Sequence, residues 1–368
     1  MSNGRTRSRI KVCSGRRQRP VPASERVLTV FLNSSQQVIR ERDLRKKLRL
    51  VAAAVTEAGL FRRAVVQLYG ETYGEKIFGC AGLTAAEEAW LNSRNTWGPR
   101  EYDRITAAAT SWHGIYYVPH DRLEAAIPDL GETLIASARP WSGEGYWHPN
   151  DMLFATLVSS QGEVMGNLTA DEPHDDRIPS RETAALLAPF LSMASAAVEQ
   201  ELNRRRDTLT GCFNGPFCLD ETSRRLGKSQ PVGFLFCDLD NLKTVNDRYG
   251  HGAGDRLILD VGSRLRTLVS SGPFAESAVC RLHGDEFAVL FQVPMDHSVH
   301  TLINWLRGQW PAILPEVSWG LAVSKSGDTP HTLMRRAELA MYNDKRGKTQ
   351  RPLTNRITAR SPVPRNPD

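Results

Sequence analysis

Two short acidic runs stand where apolar sequence gives way to polar sequence. Val232-Gly233-Phe234-Leu235-Phe236-Cys237 passes directly into Asp238-Leu239-Asp240. Forty residues on, the strand-like runs 278–282 and 287–291 are separated only by His283-Gly284-Asp285-Glu286, which reads as a tight hairpin with acids at its tip. If the two elements are neighbours, Asp238 and Asp285 come within reach of one cation. Carboxylates converging with a backbone carbonyl suit hard, oxygen-liganded Mg²⁺, which keeps several waters and binds substrate phosphates. Such an ion neutralises charge during phosphoryl transfer and lowers the pKa of a bound hydroxyl. Either acidic run alone is a weak signal, more often a solvated turn than a site; their occurrence at matching strand ends carries the signal.

The elements that must position these acids fill residues 203–349, where five blocks resemble the GGDEF domain of diguanylate cyclases. They are Asp207-Thr208-Leu209-Thr210-Gly211 with Asn214; Asp238-Leu239-Asp240 with Lys243, Asn246 and Asp247; Gly250-His251 with Gly254-Asp255; Arg281 through Phe287; and Ala337-Glu338 with Tyr342 and Lys345. The resemblance implies a ferredoxin-like βαββαβ palm, with 317–323 as a further strand. It implies condensation of two GTP molecules to cyclic di-GMP with release of pyrophosphate, one GTP held by each of two domains. Asp238, the Leu239 carbonyl and Asp285 would then hold Mg²⁺ or Mn²⁺, with Asp285 and Glu286 as the catalytic acids and Glu286 close to the reacting 3′-hydroxyl. Asn246 and Asp255 would read the guanine edge, since an amide offers donor and acceptor together while a carboxylate accepts from the base N–H groups. Gly284 would let the backbone approach the nucleotide, Lys345 and Lys348 would contact phosphate, and Arg281 would support either the hairpin or the nucleotide.

This sequence departs from the family pattern in several places. His283 replaces the first signature glycine, and if that position requires a positive φ the side chain introduces strain. The segment Lys345-Arg346-Gly347-Lys348 is one residue shorter than usual, Gly215 stands where arginine is usual, and Cys212 stands where leucine is usual. The RxxD motif that serves product inhibition is replaced by Phe274 and Ser277.

The N-terminal half carries less chemistry. Val27, Phe31, Val38, Leu44, Leu48, Val51 and Val55 recur at helical spacing, with Gly59 as a stop, which predicts a long helix or two. A strand at 64–69, a helical stretch at 85–109, a further segment at 112–118 and a strand pair at 152–159 and 163–170 follow, the last two joined across Gln161-Gly162. Helix, strands and a closing helix in this order give an α+β module. Trp147-His148-Pro149-Asn150-Asp151, Gly162, Gly166 and Asp171-Glu172-Pro173 resemble a GAF domain over about residues 40–200. His113, His120, His148 and His174 are candidate metal or haem ligands, although histidines beside aromatics are commonly structural. Cys80 is a candidate cofactor anchor that nothing else singles out. Trp112, Tyr116, Tyr117, Trp141, Tyr146 and Trp147 either line a pocket or form core, and no sensor ligand is assigned. Leu187, Leu191, Ala194, Val198 and Leu202 predict one helix over 184–207, read either as a signalling and dimerisation stalk or as a helix packed on its own domain.

The layout expected is therefore a disordered basic arm at 1–24, a GAF-like sensor at 25–183, the helix at 184–207, a GGDEF domain at 208–350 and a disordered tail at 351–368. The chain's formal net charge of +6 is concentrated in the two ends: residues 1–24 hold seven basic side chains and no acid. The rest is slightly acidic, which argues against a dedicated nucleic-acid-binding fold. The apolar stretch 184–198 is too short to cross a bilayer, and scattered cysteines without a CxxC pair suit a reducing cytoplasm. The expectation is a cytoplasmic, homodimeric, GTP-using cyclase, the alternative being an inactive GGDEF domain acting as a GTP-binding regulatory module. Without an arginine or aspartate at 274 and 277, added cyclic di-GMP should inhibit GTP turnover weakly or not at all by that route; a dose of product that sharply lowers the initial rate would contradict this.

Overall fold

The computed structural model describes residues 23–69, 77–93, 99–127, 137, 139–228, 230–293, 299–311 and 314–349. The expected arm and tail lie outside the described residues, except that Ala23 and Ser24 already belong to the first helix. The periodicity of 25–57 resolves into α1 (Ala23–Arg40) and α2 (Leu44–Glu57). The break falls at Asp43, whose carboxylate accepts from the Lys46 N–H at 2.8 Å and so satisfies one of the donors that a helix start leaves open. There follow β1 (Phe61–Leu68), β2 (Ile77–Ala81), α3 (Ala85–Ser93), α4 (Pro99–Ala108), β3 (Thr110–Trp112), β4 (Ile115–Val118), α5 (His120–Ala126), β5 (Met152–Val158) and β6 (Val164–Pro173). The strands make one antiparallel sheet in the order β2-β1-β6-β5-β4-β3.

The closing helix α6 (Arg181–Arg204) starts and ends three residues before the expected range. Ser180 and Thr183 form a reciprocal capping box that fixes the earlier start. Leu187, Phe190, Leu191, Ala194 and Val198 are buried within the same domain, where α6 packs on α1, α2 and β5. Phe31 stacks on Phe190 at 4.5 Å, and the buried Lys47 donates to the Ala197 carbonyl at 3.0 Å. Of the two roles that the sequence left open for this helix, packing on its own domain is the one its buried face performs.

The second half comprises β7 (Phe213–Asn214), α7 (Gly215–Leu226), β8 (Val232–Leu239), α8 (Leu242–Tyr249), α9 (His251–Ser271), β9 (Ala275–His283), β10 (Glu286–Gln292), α10 (Val299–Gln309), β11 (Val317–Val323) and α11 (Pro330–Thr349). Its sheet runs β11-β8-β10-β9-β7. Apart from the short β7, the spatial order is fourth, first, third, second, the ferredoxin-like arrangement of a βαββαβ unit. Strand β8 is buried along its whole length, as its near-continuous apolar sequence requires. Phe234 and Phe236 serve the core shared with α7 and α11, while Leu235 and Cys237 serve the core shared with α9 and α10. Each buried Phe or Leu contributes about 1.5–3 kcal/mol, so the strand that ends in Asp238 is fixed from both faces.

Helix α11 lies directly on β11 at Gly320, where an added Cβ would sit 2.1 Å from the Ala337 carbonyl oxygen and 2.1 Å from the Met341 nitrogen. Both obstructing atoms belong to backbone, so the helix cannot yield by turning a side chain. Gly320→Ala should lower the unfolding free energy by about 1–3 kcal/mol through overpacking, measured by urea denaturation; an unchanged midpoint and slope would contradict this close approach.

Candidate active site

Antiparallel register sets Glu286 opposite Asp238. Across the turn Glu286 also faces His283, and Ser318 faces Asp238 from β11. Directly opposed residues project to the same face of a sheet, so His283, Glu286, Asp238 and Ser318 form a row across four strands. The Leu239 N–H donates to the Asp285 carbonyl at 3.2 Å, joining the end of β8 to the hairpin tip. Asp238, Leu239, Asp285 and Glu286 are thus brought together.

The acids crowd one another. Burial raises the Asp238 carboxyl above its ordinary value, and the charges of Asp285 and Asp240 add to this against the opposing Lys345. Glu286 is raised as well, first by burial and then by Asp238, while His283 acts in the opposite direction. The counter-charge comes from α11. Lys345 Nζ donates to Asp238 Oδ1 at 2.5 Å; burial opposes its charge, yet Asp238 prevails and its pKa rises. Lys348 Nζ donates to Asp240 Oδ2 at 3.0 Å and to the Val317 carbonyl at 2.6 Å, and the Ser318 hydroxyl donates to the other Asp240 oxygen at 2.8 Å. The carboxylates of Asp238 and Asp285 are hard oxygen donors of the kind that suits a divalent Mg²⁺ or Mn²⁺, and a bound cation would relieve their mutual repulsion. Asp240 and Ser318 were not assigned from sequence; a serine inside an otherwise apolar strand is the one signal that would have flagged Ser318, which the fold buries completely.

Asn246 lies on α8, and Asp255 is exposed on α9, four residues beyond its first residue, His251. Among the described residues the Asn246 Oδ1 is buried without a hydrogen-bond partner, and a Cβ added at Gly254 would lie 1.9 Å from it. A buried, unsatisfied amide oxygen is costly unless something donates to it, which fits a base-reading role. Arg281 is committed elsewhere: its Nε and Nη2 donate to the Gly284 carbonyl at 3.0 and 2.8 Å, and Nη1 donates to Asp207 at 3.0 Å. Of the two roles left to Arg281, support of the hairpin is the one its bonds perform. His283 belongs to β9 and is not among the residues with positive φ, whereas Gly284 has φ 42°. The left-handed turn position is therefore the glycine this sequence retains, and histidine at 283 brings no backbone strain.

Residues 204–351 match the family model described as the GGDEF domain of diguanylate cyclases. This segment is a GGDEF domain. An uncharacterized protein of Mycobacterium tuberculosis is 34% identical over 170 residues, covering 42% of this chain and 27% of that protein. The diguanylate cyclase DgcP of Escherichia coli is 30% identical over 162 residues, covering 40% of this chain and 46% of that protein. The chain thus spans less than half the length of either relative. A solved GGDEF domain from Pseudomonas aeruginosa is 31% identical, with 39% of this chain and 89% of that chain covered and a TM-score of 0.34.

In this GGDEF domain Phe274 is buried and packs edge-on against Phe291 and Trp305 at 4.9 and 5.7 Å, so the position serves the core. In the N-terminal domain, the four candidate histidines separate. His113 occupies a turn with φ 54° and His174 lies beside Arg62 at 3.3 Å, while His120 and His148 stack at 3.7 Å. With Asp151 these two place potential ligand atoms within 4.8 Å of one another. The arrangement does not fit a metal: the rings are only 21° from parallel, so their in-plane lone pairs do not converge. The Asp151 oxygens already accept from Tyr117 Oη, from the backbone N–H groups of His120 and His148, and from His120 Nδ1. Tyr117 and Trp147 are core, but Trp141 is 51% exposed, so the aromatic group divides between core and surface. Burial pushes the Cys80 thiol up to about 11, a protonated and unreactive state.

The block around Asp207 ties α6 to the hairpin. Asn214 Nδ2 donates to the Arg204 carbonyl at 2.7 Å, and Asp207 Oδ1 accepts from the Thr210 N–H and hydroxyl at 2.8 and 2.7 Å. Burial works to raise the Asp207 carboxyl, but the Thr210 bonds and the Arg281 guanidinium outweigh it and hold the pKa below the usual value. A depressed folded-state pKa gives stability that is complete above the unfolded value, about 3.9, and is lost as pH falls through the folded one. Asp207→Ala should cost about 1–3 kcal/mol at pH 7, with the gap to wild type narrowing below about pH 4; an equal gap at pH 5 and pH 3 would contradict the assignment.

Proposed function

We propose that the chain is a diguanylate cyclase that condenses two GTP molecules to cyclic di-GMP with release of pyrophosphate. The observation that carries this reading is the register placing Glu286 beside Asp238, together with the Leu239–Asp285 backbone bond, which gathers the acids beneath Lys345. Asp238, the Leu239 carbonyl and Asp285 would hold Mg²⁺ or Mn²⁺, which when bound neutralises phosphate charge and acidifies the attacking hydroxyl. Glu286, its pKa raised by burial beside Asp238, is poised to take the proton of a 3′-hydroxyl. Asn246 offers a buried acceptor and Asp255 an exposed one to the donors of guanine, and adenine would leave such acceptors unpaired. Lys345, paired with Asp238, and Lys348, paired with Asp240 and the Val317 carbonyl, would contact phosphate. Arg281 and Gly284 set the tip over which the nucleotide passes.

A cyclic dinucleotide needs two nucleotides in opposition, so the reading includes a homodimer. The six-stranded antiparallel sheet backed by α1, α2 and α6 supports a GAF-like sensor over 25–183, acting through the helix that leads into the catalytic domain. Its ligand is unassigned. No helix among the described residues is long and apolar enough to cross a membrane, and a cytoplasmic site of action is part of the proposal. The rival reading, a GTP-binding module without turnover, rests on the replaced signature glycine at His283. Incubation of the purified chain with GTP and Mg²⁺ should yield cyclic di-GMP by chromatography, and Asp285→Ala should reduce the rate at least about 100-fold. Absence of product at every protein concentration would overturn the enzyme reading in favour of the regulator.

A further inference from the structure

His283 carries an imidazole on the hairpin tip, and its surroundings give that ring a use. It is exposed on extended backbone and stands at the outer end of the cross-strand row that continues through Glu286 and Asp238. Other cationic groups at this edge are already engaged: Lys345 with Asp238, Lys348 with Asp240, and Arg281 with Asp207 and the Gly284 carbonyl. Among the described residues no hydrogen bond or ion pair holds the exposed His283 ring, which stands opposite Glu286 across the turn. Either neutral tautomer of imidazole presents one N–H donor, and the ring needs no change of charge to use it.

We infer that His283 is a nucleotide-contacting residue, donating an imidazole N–H to a phosphate oxygen of the nucleoside triphosphate bound at the Asp238–Asp285 edge. This deepens the cyclase reading and rests on it for the position of the nucleotide. The contact is to phosphate and not to the base, because Asn246 and Asp255 stand on α8 and α9 whereas His283 stands on the β9–β10 hairpin beside the metal-binding acids. The backbone explains why a side chain is admitted here. Position 283 is strand, the left-handed position is Gly284, and so the imidazole occupies the tip without disturbing the turn.

The test is calorimetric binding to the full chain, with Mg²⁺ and the α,β-methylene analogue of GTP, whose α–β bridge cannot be cleaved, and in parallel with guanosine. His283→Gly should weaken the analogue about three- to tenfold, the effect of one hydrogen bond, while guanosine affinity stays the same. His283→Asn, which keeps an N–H donor, should recover most of the loss. Unchanged affinity of His283→Gly for the analogue, an equal loss for guanosine, or no binding of the analogue by the wild-type chain would each overturn the inference. Normal analogue binding with the predicted loss in the variant, but no cyclic product from GTP, would sink the cyclase reading while leaving this contact standing.

Discussion

Carboxylates repel one another, and a fold that gathers several at the end of buried strands must hold them there with an opposing charge. In this protein the charge is Lys345, whose ammonium meets Asp238 across 107 positions of sequence. The pair depends on everything beneath it. β8 must be buried on both faces for Asp238 to emerge at one place, and β10 must keep its register for Glu286 to stand opposite. α11 must lie on Gly320 for its last turns to reach the acids. The raised pKa values of Asp238 and Glu286 express the same tension: burial and neighbouring negative charge favour the protonated forms, and a cation favours the ionised ones.

The acids are also connected to the other half of the chain. The end of α6 is held by Asn214 through the Arg204 carbonyl, Asp207 follows two residues beyond Arg205, and Arg281 spans from Asp207 to the Gly284 carbonyl. Arg205 in turn donates to the Arg42 carbonyl between α1 and α2 at 3.4 Å. Contacts therefore run without interruption from the N-terminal helices to the residue beside Asp285.

Much of the C-terminal half was legible because its signals are local. An apolar run ending in Asp238 and a four-residue acidic tip between two runs announce a strand and a hairpin, and both stand where the sequence placed them. What sequence alone did not supply is partnership. Arg281 could not be assigned between hairpin and nucleotide until Asp207 was seen beside it, and Ser318 read as one more strand residue until Asp240 and Lys348 met it. His283 carried an expectation of strain because a signature glycine suggests a left-handed backbone, yet that demand falls on its neighbour. In the N-terminal half the helical periodicity was correct in kind, but the break at Asp43 and the start of α6 at the Ser180 cap depend on side-chain-to-backbone bonds that periodicity does not encode. The histidines there looked like ligands because residue type says nothing of ring orientation.

A crystal structure of the chain with Mg²⁺ and the α,β-methylene analogue of GTP examines the central claim most directly. The account predicts a divalent ion bound by Asp238 and Asp285, with the triphosphate beside Lys345 and the guanine at Asn246. A nucleotide bound elsewhere, with the Asp238–Lys345 pair closed and no ion between the two aspartates, would contradict it.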